Sequence, residues 1–323
     1  MGKPRVILTR RWPQEAEARA REVFDVELNE RDVPMSLGQL QGCLRNADGV
    51  CPTVSDSIDA EVLSASPLRC KILGNFGVGF NNIDVAAAKK AGIVVTNTPD
   101  VLTDCTADLA MTLLLSVARR AGEGERHVRD GAWTGWRPTQ MMGAKVTGKT
   151  LGLIGMGRIA RAMAHRAHHG FDMKIVFTDP LPPPPEVVDA LGATACDSIE
   201  EVLKQSDFVS LHCPGGAETH HLMDAPRLAK MKSTAFLVNS ARGDVVDPKA
   251  LIDALRAGAI AGAALDVFEG EPAVSADLIK MENVVLLPHL GSATHETRVA
   301  MGLRAIANLK AFFEGDTPRD RVA

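Results

Sequence analysis

Two kinds of hydrophobic pattern alternate along this chain. Short β-branched runs, apolar throughout, are separated by longer stretches in which apolar residues recur every three or four positions. The first kind suits strands buried on both faces of a parallel sheet, and the second suits the helices that cover it. The alternation therefore predicts βαβ units and an α/β fold. In the first hundred residues it predicts strands at 5–9, 49–51, 71–74 and 94–97, and a helix over 85–91 capped by Asp84 and ended by Gly92. Thr98-Pro99-Asp100 interrupts the pattern, and a long, largely apolar helix follows over 106–120. From Thr150 onward six more strands are predicted, at 151–154, 174–178, 208–211, 235–238, 262–265 and 284–287, enough for one doubly wound sheet. A last helix over 294–313 places Val299, Leu303, Ile306 and Phe313 on one face, with Gly315 just beyond it. The second sheet is complete without that helix, so the helix is expected to pack back on the first region.

Composition narrows the function classes. The 323 residues are 46% hydrophobic and carry 36 basic against 40 acidic side chains, a net charge of -4, which fits two ordinary domains. Without a Lys/Arg block, and with 4% aromatics, the chain is poorly suited to binding nucleic acid. Its longest apolar run, 109–118, is broken by Thr112 and Ser116 and is far shorter than the roughly 20 residues a bilayer requires, so it predicts a buried helix. Met1-Gly2-Lys3-Pro4-Arg5 leads straight into a strand without the apolar stretch of a secretory signal. Together with six cysteines that show no C-x-x-C spacing, this favours a cytoplasmic protein with reduced thiols. Pro182 to Pro185 read as a stiff surface connection. His168-His169 and His220-His221 lack a third ligand at useful spacing, so no metal site is expected.

The most informative segment is Gly155-Met-Gly157-Arg-Ile-Ala160, a G-x-G-x-x-A between a predicted strand and a predicted helix. Gly155 permits the tight turn, Gly157 lets backbone approach a pyrophosphate, and Ala160 allows close packing of helix on strand, with the phosphates on the helix N-terminus. The next strand ends at Asp179, about 20 residues on, where an acid can accept hydrogen bonds from an adenosine ribose. Its charge would repel a 2′-phosphate, and residues 180–186 hold no Arg or Lys to receive one, so NAD is expected over NADP. The bland alternative is an Asp that only starts a turn before Pro180.

Hydride transfer to a carbonyl needs a group that grips the substrate and a proton donor that works near neutral pH. Arg242, in Asn239-Ser-Ala-Arg-Gly243 after a predicted strand, is placed to hold a carboxylate bidentately. His289, in Pro288-His-Leu-Gly291, follows another strand in the same way, and His212 is its rival. Asp266, Glu269 and Glu271 all follow the strand at 262–265, and any of them could orient an imidazole. Spacing does not choose among them. Cys213 could be a reactive thiol, but after a strand it is better placed as a cofactor-side contact.

As a set, these residues resemble the D-isomer-specific 2-hydroxyacid dehydrogenase family, and above all its glyoxylate/hydroxypyruvate reductase branch. The landmarks span nearly the whole chain: Gly77-Val-Gly-Phe-Asn-Asn-Ile-Asp84, the Gly155 fingerprint, Leu211-His-Cys-Pro214, Asn239-Ser-Ala-Arg-Gly243, Ala264-Leu-Asp-Val-Phe-Glu-Gly-Glu-Pro272 and Pro288-His-Leu-Gly-Ser-Ala-Thr294. The resemblance implies a Rossmann cofactor domain over 100–291, inserted in a flavodoxin-like substrate domain made of 1–99 and 292–323. It implies Arg242, Glu271 and His289 as the catalytic set, which selects Glu271 among the three acids. Cofactor contacts are implied at Gly155, Gly157, Arg158, Ile159, Asp179, Cys213 and Pro214, and again at Ser240, Ala241, Arg242, Asp266, His289 and Gly291. Val78 and Gly79 would offer backbone N–H groups to the substrate carboxylate beside Arg242 and His289. The implied reaction is NADH-dependent reduction of a small 2-oxo acid to the D-2-hydroxy acid. The arm Gly131-Ala-Trp133-Thr-Gly-Trp136-Arg-Pro138 resembles a segment that exchanges contacts between subunits, so a homodimer with Trp136 reaching the partner's substrate pocket is expected. Two other classes stay open at this point: an NAD-linked corepressor-type binding protein, and a dehydrogenase of formate or phosphite.

Overall fold

The computed structural model describes residues 2–322. It divides into two compact units, Met1–Leu102 with Ser292–Ala323, and Thr103–Gly291. Each is built on one all-parallel sheet with helices on its faces, the α/β class expected.

In the first unit the strands are β1 (Arg5–Leu8), β2 (Asp25–Leu28), β3 (Gly49–Cys51), β4 (Ile72–Gly74) and β5 (Val94–Thr96), in the flavodoxin-like order β2-β1-β3-β4-β5. β3 and β4 are buried along their whole length, which is why they read as continuous apolar runs. β2 was not predicted: Asp-Val-Glu-Leu alternates polar and apolar residues because it is an edge strand, half open to solvent. Asp84 caps the helix Val85–Lys90 by accepting from the Ala87 N–H at 2.8 Å.

The last helix, His295–Glu314, packs against the helix Gln14–Val23 and β4 of this unit. Its buried face includes Ile306, as expected, but not Leu303. Leu303 is 42% exposed, whereas Met301, Ala305, Ile306 and Leu309 are buried. The reason is close packing at Gly302, where an added Cβ would lie 2.5 Å from the Ala16 Cβ, so the two helices meet one position away from Leu303.

The second unit holds seven strands, one more than predicted: β6 (Thr150–Ile154), β7 (Lys174–Thr178), β8 (Ala193–Ala195), β9 (Phe208–Leu211), β10 (Phe236–Asn239), β11 (Gly262–Leu265) and β12 (Val284–Leu286). Their order is β12-β11-β10-β9-β6-β7-β8. The extra strand, β8, is a three-residue edge of small, mostly exposed residues with no apolar signature. The apolar run at 109–118 is a buried helix as expected, Thr103–Ala118, with Leu113 and Leu114 fully buried. Burying each such leucine contributes on the order of 1.5–3 kcal/mol. Among the described residues no helix is long and apolar enough to cross a membrane. The proline tract is more than a connection, because Pro185 occupies the first turn of the helix Pro185–Ala190, where its fixed φ is already helical and its missing N–H would have no partner.

Candidate active site

In the second unit the strand order reverses between β6 and β9, and the loops after these strands frame a crevice at their carboxyl ends. Gly155 sits there at φ +89°, and a Cβ on it would lie 2.9 Å from the Cys213 nitrogen, so both conformation and space require glycine. Gly157 caps the helix Arg158–Phe171, whose first residues are Arg158 and Ile159, and the space beside its Cα is open for 4 Å. Ala160 is fully buried between helix and sheet.

Asp179 does something the sequence did not reveal. Its Oδ2 accepts the Met156 N–H at 2.5 Å and its Oδ1 accepts the Leu181 N–H at 2.7 Å, so the carboxylate braces the fingerprint turn from the end of β7. Across the crevice the Ser240 Oγ is buried with no hydrogen-bond partner among the described residues. Such an orphan calls for a polar group from outside the chain. The open Gly157, the helix N-terminus, the Asp179 carboxylate and the Ser240 hydroxyl together fit a dinucleotide. Burial pushes the Cys213 thiol up to about 11, so Cys213 is not a reactive thiolate at neutral pH.

Arg242 follows β10 and is held by Asn239, whose Oδ1 accepts from the Ala241 N–H (3.0 Å) while its Nδ2 donates to the Arg242 carbonyl (2.8 Å). Its Nη1 donates to the Ala241 carbonyl at 2.7 Å. Burial pushes the guanidinium down from its ordinary value, against the charges of Glu271 and Asp244, and it remains a cation. A Cβ at Gly243 would fall 1.9 Å from the Phe268 carbonyl carbon, so glycine is what lets the loop after β11 lie against the Arg242 turn.

That loop separates the three acids that spacing left open. Glu271 Oε1 meets His289 Nδ1 at 2.8 Å. Burial pushes the Glu271 carboxyl up, but the hydrogen bond and charge of His289, a backbone bond at Phe268 and the charge of Arg242 outweigh it and hold the group below the usual carboxylate range. Asp266 instead anchors the backbone around His289, accepting from the Leu290 N–H (2.7 Å) and the Gly291 N–H (2.8 Å) while its carbonyl takes the His289 N–H. Burial pushes this carboxyl up, partly offset by those donors and by His289. His289 is held at φ +56°, a strained conformation for a non-glycine residue of the kind that gathers at functional sites.

Glu269 faces the other way, toward His220 (3.3 Å) and His221 (3.0 Å), so that histidine pair does have a third polar group beside it, one that sequence spacing did not reveal. The rival His212 is spoken for. Its Nε2 lies 2.9 Å from Ser210 Oγ, and burial holds its pKa down to about 4.

The first unit presents Val78 and Gly79 on the loop after β4, half-buried. Trp136 is 80% exposed, on a stretch from Gly131 to Thr139 in which every residue is exposed.

Comparison with known proteins adds to this geometry. Residues 111–291 match the model of the D-isomer specific 2-hydroxyacid dehydrogenase, NAD binding domain. Over 324 residues the chain is 45% identical to a glyoxylate reductase of Thermococcus litoralis, covering 99% of this chain and 97% of that protein. It is 46% identical over 322 residues to a glyoxylate reductase of Korarchaeum cryptofilum, covering 99% and 96%. Among solved structures it resembles an NADPH-dependent glyoxylate/hydroxypyruvate reductase of Sinorhizobium meliloti in complex with NADP and malonate, with TM-score 0.89, 34% identity, and 100% of this chain and 97% of that chain covered.

Proposed function

Since the chain belongs to the D-isomer-specific 2-hydroxyacid dehydrogenase family, we propose that Arg242, Glu271 and His289 carry out the reduction of a small 2-oxo acid, of the glyoxylate or hydroxypyruvate type, to the D-2-hydroxy acid. The observation that carries the residue assignment is the 2.8 Å bond from His289 Nδ1 to Glu271 Oε1 beside the half-buried Arg242. A bound reduced nicotinamide supplies hydride to C2 of the substrate. Gly155, Gly157, Arg158 and Ile159 would hold the cofactor's phosphates at the helix N-terminus. Asp179 would take the ribose, and Cys213, Pro214, Ser240, Ala241, Asp266 and Gly291 would line the rest of the cofactor site.

Arg242 grips the substrate carboxylate and polarises the carbonyl. Glu271 engages Nδ1 of His289, which leaves Nε2 to give its proton to the alkoxide oxygen as charge develops there. Val78 and Gly79 contribute backbone N–H groups to the carboxylate. The glyoxylate reductases that match almost the whole chain at 45–46% identity favour an enzyme over a nucleotide-linked corepressor.

NADH is the preferred cofactor in this reading, because Asp179 would face a 2′-phosphate and residues 180–186 offer no cation. The NADPH-dependent relative makes this a point to measure. A homodimer is also proposed, with Trp133 and Trp136, which are 55% and 80% exposed and lie three residues apart on one arm, covered by the partner. A panel of glyoxylate, hydroxypyruvate, pyruvate and bulkier oxo acids, each with NADH and NADPH, tests substrate and cofactor together. Highest kcat/KM for the two smallest oxo acids with NADH is expected. Turnover of none of them, or reduction of NAD by formate or phosphite, would overturn the proposal. Light scattering that reports a monomer would remove the dimer.

A further inference from the structure

The loop after β4 is pinned from behind by three consecutive carbonyls. The Gly77 carbonyl accepts from the Thr98 N–H at 3.0 Å. The Val78 carbonyl accepts from Asn97 Nδ2 at 2.7 Å, and the Gly79 carbonyl from Asn75 Nδ2 at 2.9 Å. In a trans peptide the N–H points opposite to the carbonyl of the same unit. Fixing these three carbonyls therefore turns the N–H groups of Val78, Gly79 and Phe80 away from Asn75 and Asn97. Among the described residues none of those three N–H groups donates to another group of the chain.

Both asparagines are themselves held firmly. Asn75 is fully buried, its Oδ1 accepts from Asn82 Nδ2 at 3.2 Å, and its own N–H donates to the Thr96 carbonyl, so its amide has one orientation left. Asn97 is anchored by its main chain to the C-terminal segment, donating to the Asp320 carbonyl and accepting from Asn308 Nδ2.

We propose that Asn75 and Asn97 are positioning residues for substrate: by holding the Gly79 and Val78 carbonyls they present the N–H groups of Val78, Gly79 and Phe80 as one donor set for the carboxylate of the 2-oxo acid. The inference rests on the reading that this loop receives the carboxylate and adds Phe80 as a third donor. Neither asparagine touches the substrate. Each acts through a carbonyl, as the supports of a preorganised anion site do.

The test is the preference for glyoxylate over its uncharged amide, glyoxylamide, measured as the ratio of kcat/KM values in wild type, Asn97→Ala and Asn97→Asp. Asn97→Ala frees the Val78 carbonyl, and Asn97→Asp sets a second acceptor against it. KM for glyoxylate should rise at least tenfold in Asn97→Ala and further in Asn97→Asp, with kcat within threefold, the dissociation constant of NADH within twofold, and the glyoxylate preference collapsing in the same order. Because only the carboxylate-bearing substrate should suffer, a general loss of structure does not reproduce this pattern. Should the Asn97 variants fail to fold, Asn75→Ser carries the same comparison at the Gly79 carbonyl. If wild type shows no preference for glyoxylate, the carboxylate reading itself fails. If wild type discriminates and the variants keep both the preference and KM within twofold, the positioning role alone fails.

Discussion

Replacing Glu271 by glutamine removes a charge from the site while keeping an oxygen within reach of His289. In the wild type, His289 Nδ1 and Glu271 Oε1 are 2.8 Å apart, with side chains 31% and 37% exposed. A hydrogen bond to an ionised acceptor is worth about 1.5–3 kcal/mol and a neutral one about 0.5–1.5. Solvent screening at this exposure reduces the difference to about 1 kcal/mol. That difference stabilises the imidazolium, the species that gives up the proton, so Glu271→Gln should lower kcat about fivefold. Glu271→Ala loses the orienting bond as well, about 2–3 kcal/mol, and should lower kcat by roughly 30- to 160-fold. Steady-state NADH oxidation at saturating glyoxylate reads both. A second signature concerns stability. The folded-state pKa of Glu271 is depressed, so its contribution is present above the ordinary value of about 4.3 and is lost as pH falls through the lower folded value. The stability gap between wild type and Glu271→Gln should therefore close on acidification below about pH 4. A glutamine variant within twofold of wild type in kcat, or an alanine variant no worse than the glutamine one, would mean that Glu271 does not support His289 through its charge.

Three further outcomes follow from the geometry. Asp179→Ala removes the charge facing a 2′-phosphate, so the NADPH to NADH ratio of kcat/KM should rise about tenfold, or roughly 1.4 kcal/mol; an unchanged ratio would mean that Asp179 only braces Met156 and Leu181. The Cys213 thiol, pushed up to about 11, should resist iodoacetamide at pH 7.5 and react about tenfold faster per pH unit through pH 9; mass spectrometry of its peptide follows this, and rapid labelling at pH 7.5 would contradict it. Gly243→Ala forces a Cβ to within 1.9 Å of Phe268 main chain and should cost about 3 kcal/mol, lowering Tm by roughly 6–12 °C in thermal unfolding. A shift under 2 °C would mean that the loop after β11 moves aside freely.

What could be read from the sequence, and what could not, divides along physical lines. The inner strands of both sheets are buried on both faces, so runs such as Phe208–Leu211 and Lys174–Thr178 announced themselves. β2 and β8 are edges, where burial no longer imposes an apolar run. The dinucleotide turn was legible because its glycines answer to local backbone geometry. Choosing among Asp266, Glu269 and Glu271 was not, since all three lie on one loop and their partners depend on how that loop folds over Gly243. Asn75 and Asn97 left no signal, because their partners are main-chain carbonyls that any residue at 78 and 79 would supply.

Delivery of the proton by His289 as hydride reaches C2 of a 2-oxo acid is tested by following NADH oxidation with hydroxypyruvate in wild type and in His289→Asn, with chiral analysis of the product. Wild type should form one D-glycerate per NADH consumed, and in His289→Asn kcat should fall about a hundredfold or more with the dissociation constant of NADH within twofold. L-Glycerate from the wild type, or a variant that turns over at the wild-type rate, would contradict it.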